Sequence, residues 1–96
     1  MDKLLKEFIK YLSVERGLAY NTLVSYQNDL NDYITFCRRY GLVNIEQAGK
    51  EAIMSYLYKL QLNGRSPATI SRHLAAIKSY YRFAFNEGII NKDPAR

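Results

Sequence analysis

A chain of 96 residues suits one small domain with a single core. Nearly half of it, 48%, is apolar, yet no run approaches the roughly 20 apolar residues that span a bilayer, so disorder and a membrane helix are both excluded. One cysteine, Cys37, and one histidine exclude an internal disulfide and a cysteine- or histidine-built metal cluster, and no cofactor is expected.

The first helix is expected over residues 2–16. Leu4, Leu5, Phe8, Ile9, Tyr11 and Leu12 recur at helical spacing and Gly17 ends it. Charges interrupt this stripe, and it lacks the h-region and cleavage site of a signal peptide, so a soluble, cytoplasmic protein is expected. Asn21 is the expected N-cap of a second helix, 21–40, with Leu23, Tyr26, Leu30, Tyr33, Ile34 and Cys37 on one face. Arg38 and Arg39 suit its last turn, and Gly41 its C′ position. A third helix, 49–63, carries Ile53, Tyr56, Leu57 and Leu60. Ser66 caps a fourth, 66–87, with Pro67 at its first position and Gly88 after its end. "IINKDPAR" reads as an exposed tail. No strand-like alternation appears, so the fold class is all-α, with one domain over 1–96.

The net charge of +5 is placed unevenly. Met1 to Ala48 holds six basic and six acidic residues; Gly49 to Arg96 holds eight and three. Between Glu51 and Glu87 there is no acid, only Lys59, Arg65, Arg72, Lys78 and Arg82. Such a surface attracts polyanions, but the same charge also serves plain solvation.

The fourth helix sharpens the choice. At about 100° per residue, Leu74, Ile77, Tyr81, Ala84 and Phe85 fall within about 60° of Ile70. Opposite them lie Ser71, Arg72, Ala75, Lys78, Ser79, Arg82 and Asn86. A merely solvated face tends to mix signs; this one is basic and small, and suits phosphate contact. The second helix has Ser25, Asn28, Asp32, Thr35 and Arg39 opposite its stripe, equally suited to bases or to water.

Two stretches together carry a family resemblance. "ERGLAYNTLVSYQNDLNDYITFC" resembles the start of the tyrosine recombinases, the phage-integrase and Xer class: Gly17, Leu18, Asn21, Thr22, Tyr26, Asp29 and Leu30 fit the pattern, with Ala19 where the family often has Ser. "SPATISRHLAAIKSYYRFAFNEGIINKDPA" resembles its fourth-helix block. The resemblance covers essentially the whole chain. It implies a four-helix, SAM-like orthogonal bundle: the N-terminal core-binding domain, half of a clamp on the recombination site. By position it implies contacts to double-stranded DNA from Asn21, Thr22 and Ser25 on the second helix. On the fourth it implies Thr69, Arg72, Lys78, Ser79 and Arg82. Lys78 stands where the family commonly has Arg; it keeps the charge without the bidentate fork. Other protomers are implied partners of the full-length recombinase, and the isolated domain is expected to be monomeric. The catalytic tyrosine and its cations belong to a domain after this one, so no catalytic residue is expected here.

The remaining residues read as structural. Tyr81 belongs to the core stripe; Tyr80, at its edge, is placed to pack or to bond a phosphate, His73 near the same edge to pack or to face a partner, and Cys37 is a small core hydrophobe. Asp29 and Asp32 are expected to cap or solvate their helix, and Arg65 is equally placed for DNA or solvent. Two other functions compete. A free-standing helix-turn-helix regulator needs a turn of about three or four residues between short helices, and no pair here is expected to be so arranged, since "NGRSP" joins longer ones. A protein-interaction module predicts an apolar or mixed-charge patch in place of the basic face.

Overall fold

Four helices form where the apolar spacing places them: α1 (Asp2–Val14), α2 (Tyr20–Arg39), α3 (Lys50–Leu62) and α4 (Pro67–Asn86). The computed structural model describes all residues from Met1 to Arg96. There are no strands, and no helix is long and apolar enough to cross a membrane.

The ends follow from local chemistry. At α4, Ser66 Oγ accepts from the Thr69 N–H at 3.2 Å, with Pro67 beside it as the first helical residue. At the end of α2, Gly41 takes φ +76, a conformation that a side chain disfavours. Gly41 N–H then donates to Arg38 O and Leu42 N–H to Cys37 O, both at 3.0 Å, which satisfies two orphan carbonyls. The same pair of bonds recurs at the ends of α3 and α4. The start of α2 differs from expectation. The helix begins one residue before Asn21, its N-cap is Ala19, and no side chain caps it.

The two longest helices, α2 and α4, form the centre; α1 and α3 each pack against both, with no close backbone approach between α1 and α3. One core of 21 buried apolar residues joins all four. Aromatic rings run through it: Phe8 lies 5.7 Å from Tyr80 and 5.3 Å from Phe83, and Tyr33 lies 5.4 Å from Tyr56.

Two further expectations are corrected. The core stripe of α4 is turned by about 60° from Ile70, toward His73, Ile77, Tyr80 and Ala84. Ile70, Leu74 and Phe85 are only partly buried, whereas His73 and Tyr80 are fully enclosed. Those two polar aromatics enter the core because each finds a partner there. The tail is also not free: Ile90 is buried, and the Asp93 side chain is only 4% exposed.

Candidate nucleic-acid interface

Where the start of α2 meets the middle of α4, a cleft of about 330 Å³ opens. Asn21, Thr22, Ser25, Tyr26 and Asp29 line one side, and Arg72, Ala75 and Ala76 the other. Four of the expected contact residues thus converge. Because α2 has no side-chain cap, the N–H groups of its first turn remain without partners beside Asn21 and Thr22, at the positive end of the helix dipole. A second cleft of about 290 Å³ contains Ser79 and Arg82 with Arg16; Tyr26 lines both. Lys78 is exposed on the same helix and forms no ion pair. Thr69 is drawn into the cap, where its hydroxyl accepts from Ser66 Oγ at 3.0 Å.

The acid-free face of α4 meets acids from elsewhere in the chain. Arg72 Nε donates to Asp29 Oδ2 at 2.8 Å, and Arg72 Nη2 to Oδ1 at 3.1 Å. Asp29 is therefore neither a cap nor a solvated acid: its side chain is 6% exposed beneath an arginine that is 52% exposed. Those bonds push the Arg72 pKa still higher. Arg82 Nε lies 3.7 Å from Asp93 Oδ2. No spacing in sequence announces either pair, since Asp29 and Arg72 are 43 residues apart.

Beneath them is a buried polar cluster. His73 Nδ1 lies 3.0 Å from the Tyr56 hydroxyl, and Nε2 lies 3.4 Å from Asp29 Oδ1 without hydrogen-bond geometry. Burial lowers the pKa of His73, against the opposing pull of Asp29. The neutral imidazole with its proton on Nε2 fits both neighbours: Tyr56 O–H donates to Nδ1, and Nε2–H faces the carboxylate.

The buried tyrosines are structural. Tyr80 O–H donates to Met1 O at 3.0 Å and Tyr81 O–H to Ala48 O at 2.8 Å. Tyr81 having spent its proton, Tyr33 O–H donates to Tyr81 Oη at 2.7 Å. Burial raises the pKa of all four, Tyr33, Tyr56, Tyr80 and Tyr81, well above the usual phenol range. A phenol so held is poorly suited to nucleophilic attack.

Met54, Tyr58 and Leu62 form an exposed apolar stripe along α3. The patch expected of a protein-interaction module is present, but alongside the basic face and not in place of it. The connection from α3 to α4 spans only residues 63–66, but the helices it joins are 13 and 20 residues long, not the short pair expected of a helix-turn-helix.

The model of the phage integrase N-terminal SAM-like domain matches residues 5–88, and the chain belongs to that family. Among individual proteins, it is 35% identical over 99% of its length to tyrosine recombinase XerD of Oceanobacillus iheyensis, covering 32% of that protein. It is 37% identical over 98% of its length to putative tyrosine recombinase TTE1313 of Caldanaerobacter subterraneus subsp. tengcongensis, again covering 32%. With XerD of Caulobacter vibrioides the identity is 39% over 93% of the chain and 29% of the relative. The chain thus spans about a third of the length of the curated relatives it matches. No solved structure matches it.

Proposed function

We propose that these 96 residues grip double-stranded DNA as the N-terminal, non-catalytic part of a site-specific tyrosine recombinase. The observation that carries this reading is the α2–α4 cleft. It collects Asn21, Thr22, Ser25 and Arg72 beside an uncapped helix start, with Lys78, Ser79 and Arg82 along the same α4 surface. Phosphates are the ligand that such donors suit. From Arg72 to Arg82 the cations spread along nearly three turns, which suits tracking a backbone more than enclosing one phosphorus atom. Strand cleavage and contacts with other protomers belong, on this reading, to the full-length protein, and its work lies in the cytoplasm.

Titration of a labelled mixed-sequence duplex across a salt series tests the proposal. Binding should weaken steeply with salt, and Lys78→Ala should flatten the slope of log affinity against log salt by about 0.9. Lys78 is the clean probe because it has no partner in the fold. Affinity that ignored salt, or a Lys78→Ala variant with an unchanged slope, would overturn the assignment.

A further inference from the structure

Arg72 has an anchor that phosphate binding by itself does not require. Asp29 engages it twice, at Nε and Nη2, while Nη1 bonds nothing within the protein. The carboxylate lies beneath the guanidinium, 6% against 52% exposed. Stability is a weak reason for this arrangement. A half-exposed ion pair contributes little, and enclosing a carboxylate costs desolvation. What a two-pronged bond does fix is direction, since it sets the plane of the guanidinium. The carboxylate is itself backed. His73 Nε2, fully buried and without a hydrogen bond of its own, sits 3.4 Å behind Oδ1. Its other nitrogen is tethered to Tyr56 of α3.

The geometry points to Asp29 as a positioning residue: backed by His73, it aims the free edge of Arg72 into the α2–α4 cleft, where Arg72 meets a DNA phosphate as a directed donor. The inference rests on the DNA-binding reading of this face. It also runs against simple electrostatics. Removing a negative charge beside the DNA should tighten binding if Asp29 merely compensates Arg72. If Asp29 positions Arg72, removing its charge loosens binding.

The experiment compares wild type, Asp29→Asn, Arg72→Gln and the double variant on a labelled mixed-sequence duplex at moderate salt. Arg72→Gln should weaken binding about tenfold, and Asp29→Asn about fivefold even though it removes a negative charge beside the DNA. The double variant should be no weaker than Arg72→Gln, because the two act as a unit. Asp29→Glu keeps the charge but displaces the carboxylate, and it should weaken binding too; it also serves if Asp29→Asn does not fold. In NMR spectra, the Arg72 Nε–H signal should be sharp in wild type and lost to exchange in Asp29→Asn. Binding by Asp29→Asn as tight as wild type or tighter, strictly additive losses, or an unchanged Nε–H signal would each overturn the proposal. Lys78→Ala separates the two levels. If it weakens binding while Asp29→Asn does not, only the positioning role falls; if neither Lys78→Ala nor Arg72→Gln has an effect, the DNA-binding reading falls with it.

Discussion

The inner face of α4 carries His73, Tyr80 and Tyr81, and its outer face carries Arg72, Lys78 and Arg82. Both faces carry polar groups, yet those groups are managed in opposite ways. Inside, every tyrosine hydroxyl has a partner and each ring is enclosed. Outside, charges remain in solvent, and two of the three are shadowed by a carboxylate from another element. Polarity alone therefore does not tell core from surface on this helix. What separates the faces is whether a partner waits at the right depth. Tyr56, Met1 O and Ala48 O serve the inner face; Asp29 and Asp93 reach the outer one.

The strongest way to break this contrast is to truncate one residue from each face. Tyr81→Ala removes a fully buried ring and leaves the Ala48 carbonyl and Tyr33 hydroxyl short of a partner. It should cost about 3–5 kcal/mol, much of the stability of a domain this small. Lys78→Ala should stay within about 0.5 kcal/mol. Urea unfolding of the two variants gives the comparison, and similar losses would mean that the faces are not distinct.

A smaller effect comes from His73 and depends on pH. Burial holds its pKa below the ordinary value of 6.5, and the groups around it pull both ways: Asp29 and Asp32 of α2 upward, Arg72 of α4 and Arg65 before it downward. The unfolded chain takes up a proton near 6.5, whereas the folded chain does so only at lower pH. The contribution is thus present above pH 6.5 and lost as pH falls below it, with a slope of up to about 1.4 kcal/mol per pH unit. Unfolding measured between about pH 7 and 5 should show that slope in wild type and a shallower one in His73→Asn. Equal slopes would show that the inner face tolerates a charged imidazole.

The helix order and most boundaries were legible because their signals are local. Ser66-Pro67 opens α4, and glycines at 41, 64 and 88 close three helices with positive φ. The basic stripe was legible for the same reason, being a matter of spacing within α4. The rotation of the core stripe was not. Apolarity weights Ile70 and Leu74 above His73 and Tyr80, and only the fold supplies Tyr56 and the Met1 carbonyl. Asp29 looked like a helix-surface acid for a related reason, since its partner is far off in sequence. The buried tail escaped as well, because Ile90 and Asp93 follow a helix stop and carry no periodicity.

The finest test of the contrast lies within the outer face, between its two carboxylates. Asp29 grips Arg72 by two bonds, whereas Asp93 only approaches Arg82, at 3.7 Å and without a hydrogen bond. The firm bond of Asp93 goes elsewhere: its Oδ1 accepts from the Ala95 N–H at 3.0 Å. Asp93→Asn keeps an oxygen for Ala95 and removes only the negative charge beside Arg82. The Asp93 carboxylate is enclosed but makes no hydrogen bond to Arg82, which stays half-exposed, so losing its charge should change stability by no more than about 1 kcal/mol. Duplex binding should tighten by a few fold, with the log affinity–log salt slope steeper by at most about 0.9, since one more cation is free to displace counterions. The sign is opposite to that expected for Asp29→Asn. Weaker binding by Asp93→Asn would mean that proximity at 3.7 Å already orients Arg82, and the distinction between a carboxylate that aims a cation and one that merely masks it would not hold.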